Sequence, residues 1–249
     1  VELRQGTGRL IDHHDVEVTG ADGSTRVVHA DTIVLSTGSR PRVPDWAPVD
    51  GHRVLTTRHA YPPPELPEHL IVVGSGVTGV EFVHMFSAFG SAVTLIVSRQ
   101  QVLPQKDPEV AAVLEDTFIG RGVKLFKGAR AEGLDLSDDG VAVRCDDGRV
   151  ARGSHVLLAI GSIPNSEGLG LEEAGVELDG GYVVVDHNCK SSVGHIYAAG
   201  DLSGKLPLSS VAAMQGRKIA EHALGLHAGP HRHLDYEKAA SAIFTDPEI

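Results

Sequence analysis

The stretch Leu70–Gly90, LIVVGSGVTGVEFVHMFSAFG, decides the fold class of this chain of 249 residues. An apolar run typical of a buried parallel strand precedes three glycines, Gly74, Gly76 and Gly79, in the pattern GxGxxG. Apolar residues at helical spacing follow, and Gly90 ends them. The next strand, AVTLIV, completes a βαβ unit, so the stretch predicts an α/β chain with a Rossmann-like domain.

The three glycines indicate what the loop binds. Gly74 permits the tight turn from strand to helix, Gly76 lets the backbone approach a pyrophosphate, and Gly79 lets the helix pack on the strand. The diphosphate is expected at the helix N-terminus, where backbone N–H groups lack partners within the helix. A dinucleotide is therefore predicted to bind the loop residues, which are Gly74, Ser75, Gly76, Val77, Thr78 and Gly79.

The strand after the helix predicts which dinucleotide binds. Sites that prefer NAD carry an Asp or Glu here, whose carboxylate accepts hydrogen bonds from the adenosine ribose. In this chain the strand ends at Val97, and Ser98 and Arg99 follow. A carboxylate would repel a 2′-phosphate, whereas the Arg99 guanidinium would attract it, so Ser98 and Arg99 favour NADPH. The alternative is that Arg99 is only a solvated loop cation.

Composition excludes several classes of function. Asp and Glu number 33 against 22 Lys and Arg, so nucleic acid is not an expected partner. No apolar run approaches the ~20 residues of a membrane helix, and no signal peptide opens the chain, so a cytoplasmic protein is predicted. Cys145 and Cys189 form no CxxC spacing, and the histidines of His227–His233 have no defined ligand spacing, so no metal site is predicted.

One pattern occurs twice in the chain. The runs ADTIVLSTGSRP (Ala30–Pro41) and GSHVLLAIGSIP (Gly153–Pro164) both end in Gly-Ser-x-Pro, and each follows an Asp-Gly turn. Alternating residues around DDG turns before the second run predict a β-meander inserted into the Rossmann-like domain. The first run is then the end of a second, incomplete Rossmann-like domain, whose opening βαβ unit is expected before Val1.

The rest of that incomplete domain is predicted near the carboxyl end. HIYAAGD (His195–Asp201) predicts a buried strand with Asp201 at its carboxyl end, where α/β folds bind ligands. A helix is predicted over Leu208–Leu224, with Ser209 or Ser210 as its N-cap. Its positive N-terminus would stabilise negative charge on a reduced cofactor. The alternative for Asp201 is an ordinary turn residue.

Four motifs in this order, STGSRP, GSGVTGVE, AIGSIPN and HIYAAGD, make the chain resemble the two-dinucleotide flavoprotein reductases. This group contains glutathione reductase, lipoamide dehydrogenase, mercuric reductase and soluble transhydrogenase. The segments LPLSSVAAMQGR and GVKLFKGARA are most similar to those of lipoamide-dehydrogenase-like NAD(P)H quinone reductases. The resemblance implies FAD in the incomplete domain and NAD(P)H in the complete one. It also implies that hydride passes from nicotinamide to flavin, and then to a quinone or another small acceptor.

The resemblance implies roles for single residues as well. Asp201 matches the residue that binds the flavin ribityl chain. Glu81 matches the acid that pairs with a catalytic lysine beside flavin N5, and its alternative is a carboxylate that interacts with the helix dipole. The other positions implied to contact the cofactors are Thr37, Gly38, Pro207, Leu208, Ser209 and Ser210 for FAD, and Ala131 and Gly161 for NAD(P)H.

The implied domain order describes a fragment of a longer protein. It assigns residues 1–45 to the FAD domain, 46–66 to a linker, 67–188 to the NAD(P)-binding domain, 189–234 to the return strand and helix of the FAD domain, and 235–249 to a truncated dimerisation domain. The family's CxxxxC segment and its His-Glu pair are then expected outside this chain, and the full-length parent is expected to be a homodimer. The alternatives are a dihydrolipoyl dehydrogenase or soluble transhydrogenase, or a nucleotide-binding fragment without catalysis.

Overall fold

A computed structural model of the protein describes residues 1–63, 65–226 and 234–249. The chain forms two compact units, each made of two stretches of sequence. The first unit contains Val1–Arg40 and Ile163–Ser241, and the second unit contains Pro41–Ser162 and Ala242–Ile249. The domain boundaries expected from the sequence stay a prediction.

The described residues form short strands and three α-helices. The strands in chain order are β1 (Thr7–Leu10), β2 (Asp15–Thr19), β3 (Thr25–His29), β4 (Ile33–Leu35), β5 (Ser39–Pro41), β6 (Val54–Thr56), β7 (His69–Val73), β8 (Ala92–Val97), β9 (Lys124–Lys127), β10 (Ala131–Ser137), β11 (Gly140–Cys145), β12 (Val150–Gly153), β13 (His155–Leu158), β14 (Ser162–Pro164), β15 (Leu178–Asp179), β16 (Tyr182–Val183) and β17 (Ile196–Ala198). The helices are α1 (Val77–Ala88), α2 (Pro108–Gly120) and α3 (Ser209–Ala223), with 3₁₀ turns at Gly200–Ser203 and Tyr236–Lys238.

A five-stranded parallel sheet forms the centre of the second unit, with the strand order β6-β13-β7-β8-β9. Both faces of this sheet are covered, which explains why its central strands are continuous apolar runs. One face packs against α1 and α2 through Val83, Phe86, Leu114 and Phe118. Because the strands are parallel, the loops that follow β7, β8 and β13 meet at one edge of the sheet, where α/β folds bind ligands.

The opposite face of the sheet packs against an antiparallel meander, β10-β11-β12. Ile71 and Val73 of β7 lie in one buried cluster with Val141 and Val143 of β11. The meander comes between β9 and β13 in the sequence, as the alternating residues around the DDG turns predict. The predicted α/β class with an inserted meander is therefore confirmed.

The first unit repeats the arrangement of a meander followed by a parallel strand. Strands β1, β2 and β3 form an antiparallel sheet. Strand β4 pairs in parallel with β17, with Ile33 opposite Ile196 and Leu35 opposite Ala198. These residues share a buried cluster with Leu202. The two copies of the Gly-Ser-x-Pro pattern thus end equivalent pieces of structure.

Helix α2 and helix α3 begin differently. The α2 helix has a side-chain cap, because Asp107 accepts a hydrogen bond from the Glu109 N–H at 2.8 Å and Pro108 occupies the first helical position. The predicted cap of α3 is wrong: the N-cap residue is Leu208, which has no side-chain oxygen, and Ser209 is already helical. The first N–H groups of α3 are consequently left without a side-chain cap from the described residues.

Two further findings concern predictions made from the sequence. Strand β6 lies within the stretch 46–66 expected to be a linker, and it is buried at the edge of the central sheet, beside β13. Within the described ranges, no helix combines the length and the apolar character that a membrane crossing requires. The histidine-rich stretch 227–233 lies outside the described residues.

Candidate functional site

The Gly-rich loop between β7 and α1 is held by close backbone packing. A Cβ atom on Gly74 would lie 2.3 Å from the carbonyl oxygen of Ala159, and the φ angle of Gly74 is +109°. A Cβ atom on Gly79 would lie only 1.9 Å from the carbonyl oxygen of Gly74. Only glycine fits at these two positions, so both are needed for the fold of the loop itself.

Gly76 differs from the other two glycines, because nothing in the fold requires it. Its φ of −72° suits any residue, and among the described residues no atom lies within 4 Å of a Cβ built on it. It is the exposed N-cap of α1, and Val77 and Thr78 beside it are exposed as well. The space left open by Gly76 lies at a helix N-terminus, where free N–H groups and the helix dipole attract anions. This geometry fits a pyrophosphate.

The loop after β8 presents two exposed side chains at the same edge of the sheet. Val97, the last residue of the strand, is fully buried in the cluster formed with α1 and α2. Ser98 and Arg99 follow it and are exposed. The carbonyl oxygen of Arg99 accepts a hydrogen bond from the Gly128 N–H at 2.9 Å, which fixes the backbone here. The side chains that can meet a ribose or its phosphate are therefore those of Ser98 and Arg99.

Gly161 and Ala131, both expected at the NAD(P)H, have different surroundings. Gly161 is exposed and has a φ of +95°, two residues beyond the Ala159 carbonyl that contacts the Gly-rich loop. Its carbonyl oxygen accepts a hydrogen bond from the Arg42 N–H at 2.9 Å. Ala131 is buried in the cluster that contains Val143. Gly161 thus lies two residues after a contact with the Gly-rich loop, whereas the side chain of Ala131 belongs to the core.

Glu81 of α1 holds the last segment of the second unit. Its Oε1 accepts a hydrogen bond from the backbone N–H of Phe244 at 3.1 Å. The same segment is anchored by Ile243, which is buried in the core, and by Asp246, which accepts a hydrogen bond from Arg121 at 2.5 Å. This contact is not predicted from the sequence, although the apolar Ile243 in SAIFTDPEI indicates that the segment packs.

Asp201, Thr37 and Gly38, which are predicted cofactor residues of the first unit, each have a hydrogen-bond partner within that unit. Asp201 lies in the 3₁₀ turn after β17, and its Oδ2 accepts a hydrogen bond from the Ser39 hydroxyl at 2.6 Å. Nearby in the sequence, the Thr37 hydroxyl donates to the Asn165 carbonyl at 2.7 Å, and the Asn165 N–H donates to the Gly38 carbonyl at 2.9 Å. The Asn of AIGSIPN thereby fixes the turn of STGSRP.

A buried glutamine, Gln215, connects the Asp201 turn to helix α3. Its Oε1 accepts a hydrogen bond from the Gly200 N–H at 2.7 Å. Its Nε2 donates to the hydroxyl groups of Ser203 and Tyr236, both at 3.1 Å. Gln215 is 0 % exposed, and the protein supplies these three hydrogen-bond partners to its buried amide. Gln215 is not predicted from the sequence, although a polar side chain on the apolar face of a predicted helix is a signal for such a residue.

The start of α3 carries four of the residues expected at the FAD. Pro207, Ser209 and Ser210 are exposed, and Leu208 is half-buried. No acidic residue lies in the first turn of this helix. The uncapped N–H groups and the positive end of the helix dipole make this end of α3 suitable for a carbonyl oxygen or a negative charge.

The two cysteines are free and buried. Burial raises the pKa of the Cys145 thiol and of the Cys189 thiol above the ordinary value for cysteine. Reactive cysteines have a lowered pKa and partial exposure. Neither thiol therefore has the surroundings of a redox nucleophile.

Comparison with known proteins identifies the class. Residues 1–216 match the sequence model of the pyridine nucleotide-disulphide oxidoreductases, so the chain belongs to this family, as its four motifs predict. The family binds FAD and NAD(P)H. The chain is 47% identical to an NAD(P)H dehydrogenase (quinone) of Mycobacterium tuberculosis, over 100% of this chain and 51% of that protein. It is 32% identical to a dihydrolipoyl dehydrogenase of Zymomonas mobilis, over 100% of this chain and 54% of that protein.

The solved structures give the same answer for the fold. The crystal structure of LpdA from Mycobacterium tuberculosis superposes with a TM-score of 0.91 at 47% identity, over 98% of this chain and 54% of that chain. The chain thus spans about half the length of the relatives that it matches.

Proposed function

We propose that this chain is the nucleotide-binding part of an FAD-dependent oxidoreductase that takes hydride from NAD(P)H and reduces a quinone or another small acceptor. The observation that carries the proposal is the Gly-rich loop, where two glycines are required by packing and Gly76 is not. A glycine that the fold does not need, at the N-terminus of a helix, is explained by a ligand that needs the space.

NAD(P)H is held by backbone groups in this proposal. The N–H groups at the start of α1 donate hydrogen bonds to the pyrophosphate, and Ser75, Val77 and Thr78 form the rest of the cradle. Gly161, three residues after the end of β13, leaves room for the rest of the coenzyme. Ala131 contributes through its backbone only, because its side chain is buried.

NADPH is the preferred coenzyme in this proposal. The exposed guanidinium of Arg99 follows directly after β8, and Ser98 beside it carries a hydroxyl and no negative charge. A guanidinium donates charge-assisted hydrogen bonds to a phosphate, and these are stronger than bonds between neutral groups. The 2′-phosphate of NADPH would therefore gain an interaction that NADH lacks.

FAD is assigned to the first unit, and the residues there fit it. Asp201 accepts a hydrogen bond from the Ser39 hydroxyl, and a ribityl hydroxyl is a donor of the same kind. Thr37 and Gly38 directly precede Ser39 in the sequence. The uncapped start of α3, which follows Pro207 and Leu208, offers the N–H groups of Ser209 and Ser210 to the flavin. When bound, the flavin supplies the two-electron chemistry. The chain's own residues orient it and stabilise charge with the α3 dipole.

In this proposal the Glu81 carboxylate pairs with the catalytic lysine of the family. The hydrogen bond from the Phe244 N–H uses Oε1 of Glu81 and fixes the direction of the carboxylate. The second carboxylate oxygen, Oε2, would accept the lysine ammonium in the complete protein. In this assignment Glu81 both orients the lysine and ties the last segment to α1.

The acceptor is proposed to be a quinone, and the complete protein a homodimer. Support for the quinone comes from the 47% identical relative, which is an NAD(P)H dehydrogenase (quinone), against 32% for the dihydrolipoyl dehydrogenase. The competing proposal is a nucleotide-binding module without catalysis.

The test uses both the 249-residue chain and a longer protein that carries flanking segments. We expect calorimetric titration to detect NADPH binding by the chain, with little FAD retained, because only part of the FAD site lies within it. The longer protein is expected to be yellow and to oxidise one NADPH for each molecule of the quinone menadione that it reduces. A folded chain that binds neither NADPH nor NADH contradicts the proposal. A longer protein that binds NADPH but is colourless and reduces no quinone supports the binding module.

A further inference from the structure

The loop between β8 and α2 is tied to its surroundings at three backbone atoms. It spans residues 98–107 and carries Ser98 and Arg99, the two side chains proposed to meet the ribose phosphate. The Arg99 carbonyl accepts from the Gly128 N–H at 2.9 Å, and the Leu103 N–H donates to the Ser75 carbonyl at 2.8 Å. The Val102 N–H donates to Oε1 of Glu115 at 2.9 Å. The last of these is made by a side chain of helix α2.

Leu103 joins this loop directly to the Gly-rich loop. It is one of the described non-glycine residues with a positive φ angle, +48°, and its side chain is only 2 % exposed. Leucine rarely adopts this conformation, and such strained positions persist where surrounding contacts impose them. Because the Leu103 N–H is bonded to Ser75, any movement of the 98–107 loop changes its position relative to the pyrophosphate cradle.

Glu115 is a buried carboxylate in the apolar face of α2. It is 7 % exposed and lies between the core positions Leu114 and Phe118. Burial of a carboxylate is unfavourable unless both oxygens find partners. Here Oε1 accepts from Val102 and Oε2 accepts from the Lys127 ammonium at 2.6 Å. An apolar residue at this helix position would need no such partners. The presence of a carboxylate is therefore explained by the two groups that it binds, the Val102 N–H and the Lys127 ammonium.

We infer that Glu115 is a positioning residue that sets the coenzyme preference of this site. By accepting the Val102 N–H it fixes the 98–107 loop, so that Arg99 is held at the carboxyl edge of the sheet. Its second oxygen accepts a hydrogen bond from Lys127, the register partner of Val97, and this ion pair ties α2 to β9. The inference rests on the proposed function, in which the Gly-rich loop and Arg99 bind NADPH.

The test compares E115A and E115Q in the full chain. In E115A the Val102 N–H loses its acceptor, and we expect the Kd for NADPH to rise about tenfold and the Kd for NADH about twofold, as fits the loss of a hydrogen bond to a charged group. E115Q keeps an oxygen acceptor at the same place, and both Kd values are expected within about twofold of the wild type. D116A, which removes an exposed carboxylate from the next position of α2, serves as the matched control and is expected to change neither value.

A merely structural role of Glu115 predicts a different pattern. E115A would then lower the melting temperature and weaken NADPH and NADH equally, which overturns the inference. It is also overturned if E115A retains both wild-type Kd values, or if E115Q is impaired as much as E115A. Should E115A fail to fold, hydrogen exchange at the Val102 amide decides: protection in the wild type and in E115Q supports the inference, and rapid exchange in the wild type overturns it. A wild-type chain that binds neither coenzyme overturns the proposed function together with this inference.

Discussion

The Gly-rich loop of the second unit and the Asp201 turn of the first unit both follow a buried parallel strand, yet they are held in different ways. In the Gly-rich loop, backbone packs on backbone, so that Gly79 lies against the carbonyl of Gly74. The Asp201 turn is held by side chains: the amide of Gln215 accepts a hydrogen bond from the Gly200 N–H, and the hydroxyl of Ser39 donates to the Asp201 carboxylate. The first arrangement tolerates no added atom, whereas the second depends on hydrogen bonds that single substitutions can remove.

Substitution of Gly79 by Val would break the Gly-rich loop most severely. The added Cβ would lie 1.9 Å from the Gly74 carbonyl oxygen, and neither the strand nor the helix can move away without disturbing the core. We expect destabilisation of the second unit by more than about 4 kcal/mol. Chemical denaturation followed by circular dichroism measures this loss, and Gly120→Ala, at an open position, is the control. A Gly79→Val protein as stable as the wild type would contradict the packing argument.

Substitution of Gly76 by Val separates ligand binding from folding in the same loop. Its backbone conformation suits valine and no described atom blocks the side chain, so the melting temperature is expected to stay within a few degrees of the wild type. The branched side chain would occupy the space assigned to the pyrophosphate. The affinity for NADPH and for NADH is expected to fall at least about a hundredfold, because phosphate contacts with the helix N-terminus are lost. Titration with unchanged affinity would place the coenzyme elsewhere.

Substitution of Gln215 by Leu tests the corresponding support in the first unit. Leucine has a similar volume but leaves the Gly200 N–H and the hydroxyl groups of Ser203 and Tyr236 without the partners that Gln215 supplies. We expect a loss of about 2 kcal/mol in the free energy of unfolding, since buried polar groups without partners are costly. Coenzyme binding at the Gly-rich loop should not change, because that loop is held by its own packing.

The control for Gln215 is Gln5→Leu, an exposed glutamine of the same unit, which is expected to have no effect. If Gln215→Leu proves as stable as Gln5→Leu, side-chain hydrogen bonds are not what holds the Asp201 turn. If instead it weakens NADPH binding as much as Gly76→Val does, the two regions are not independent and the comparison fails.

The same difference explains how much of the molecule is predictable from its sequence. The strand, turn and helix around the Gly-rich loop depend on residues a few positions apart, and they are predicted correctly. Strand β6 is not predicted, because its three residues become a strand only by pairing with β13, far along the chain. Glu115 and Gln215 are not predicted either, since the partners that satisfy a polar side chain on the apolar face of a helix are known only once the packing is known.

The wrong cap of α3 has a related cause. Serine is a good N-cap only where the backbone is extended, and the extended residue here is Leu208, while Ser209 and Ser210 already belong to the helix. The residue types were suitable, but the position of the helix start is set by the turn before it. The uncapped end that results is the feature that favours a ligand at this position.

Substitution of Arg99 by Ala has the smallest expected effect. It sharpens the comparison because here a side chain, and not the backbone, decides whether the Gly-rich site prefers NADPH or NADH. An exposed ion pair contributes at most about 1 kcal/mol, which corresponds to a roughly fivefold preference for NADPH over NADH. Arg99→Ala should raise the Kd for NADPH by about that factor and leave the Kd for NADH unchanged.

The wild-type preference for NADPH should also shrink when the salt concentration is raised to about 0.5 M, because salt screens exposed charges. Arg152→Ala, which removes an exposed cation from β12 of the same unit, should leave both Kd values unchanged. If Arg99→Ala weakens NADH as much as NADPH, or if the wild type shows no preference at low salt, then Arg99 is only a solvated cation and the site distinguishes the two coenzymes by other means or not at all.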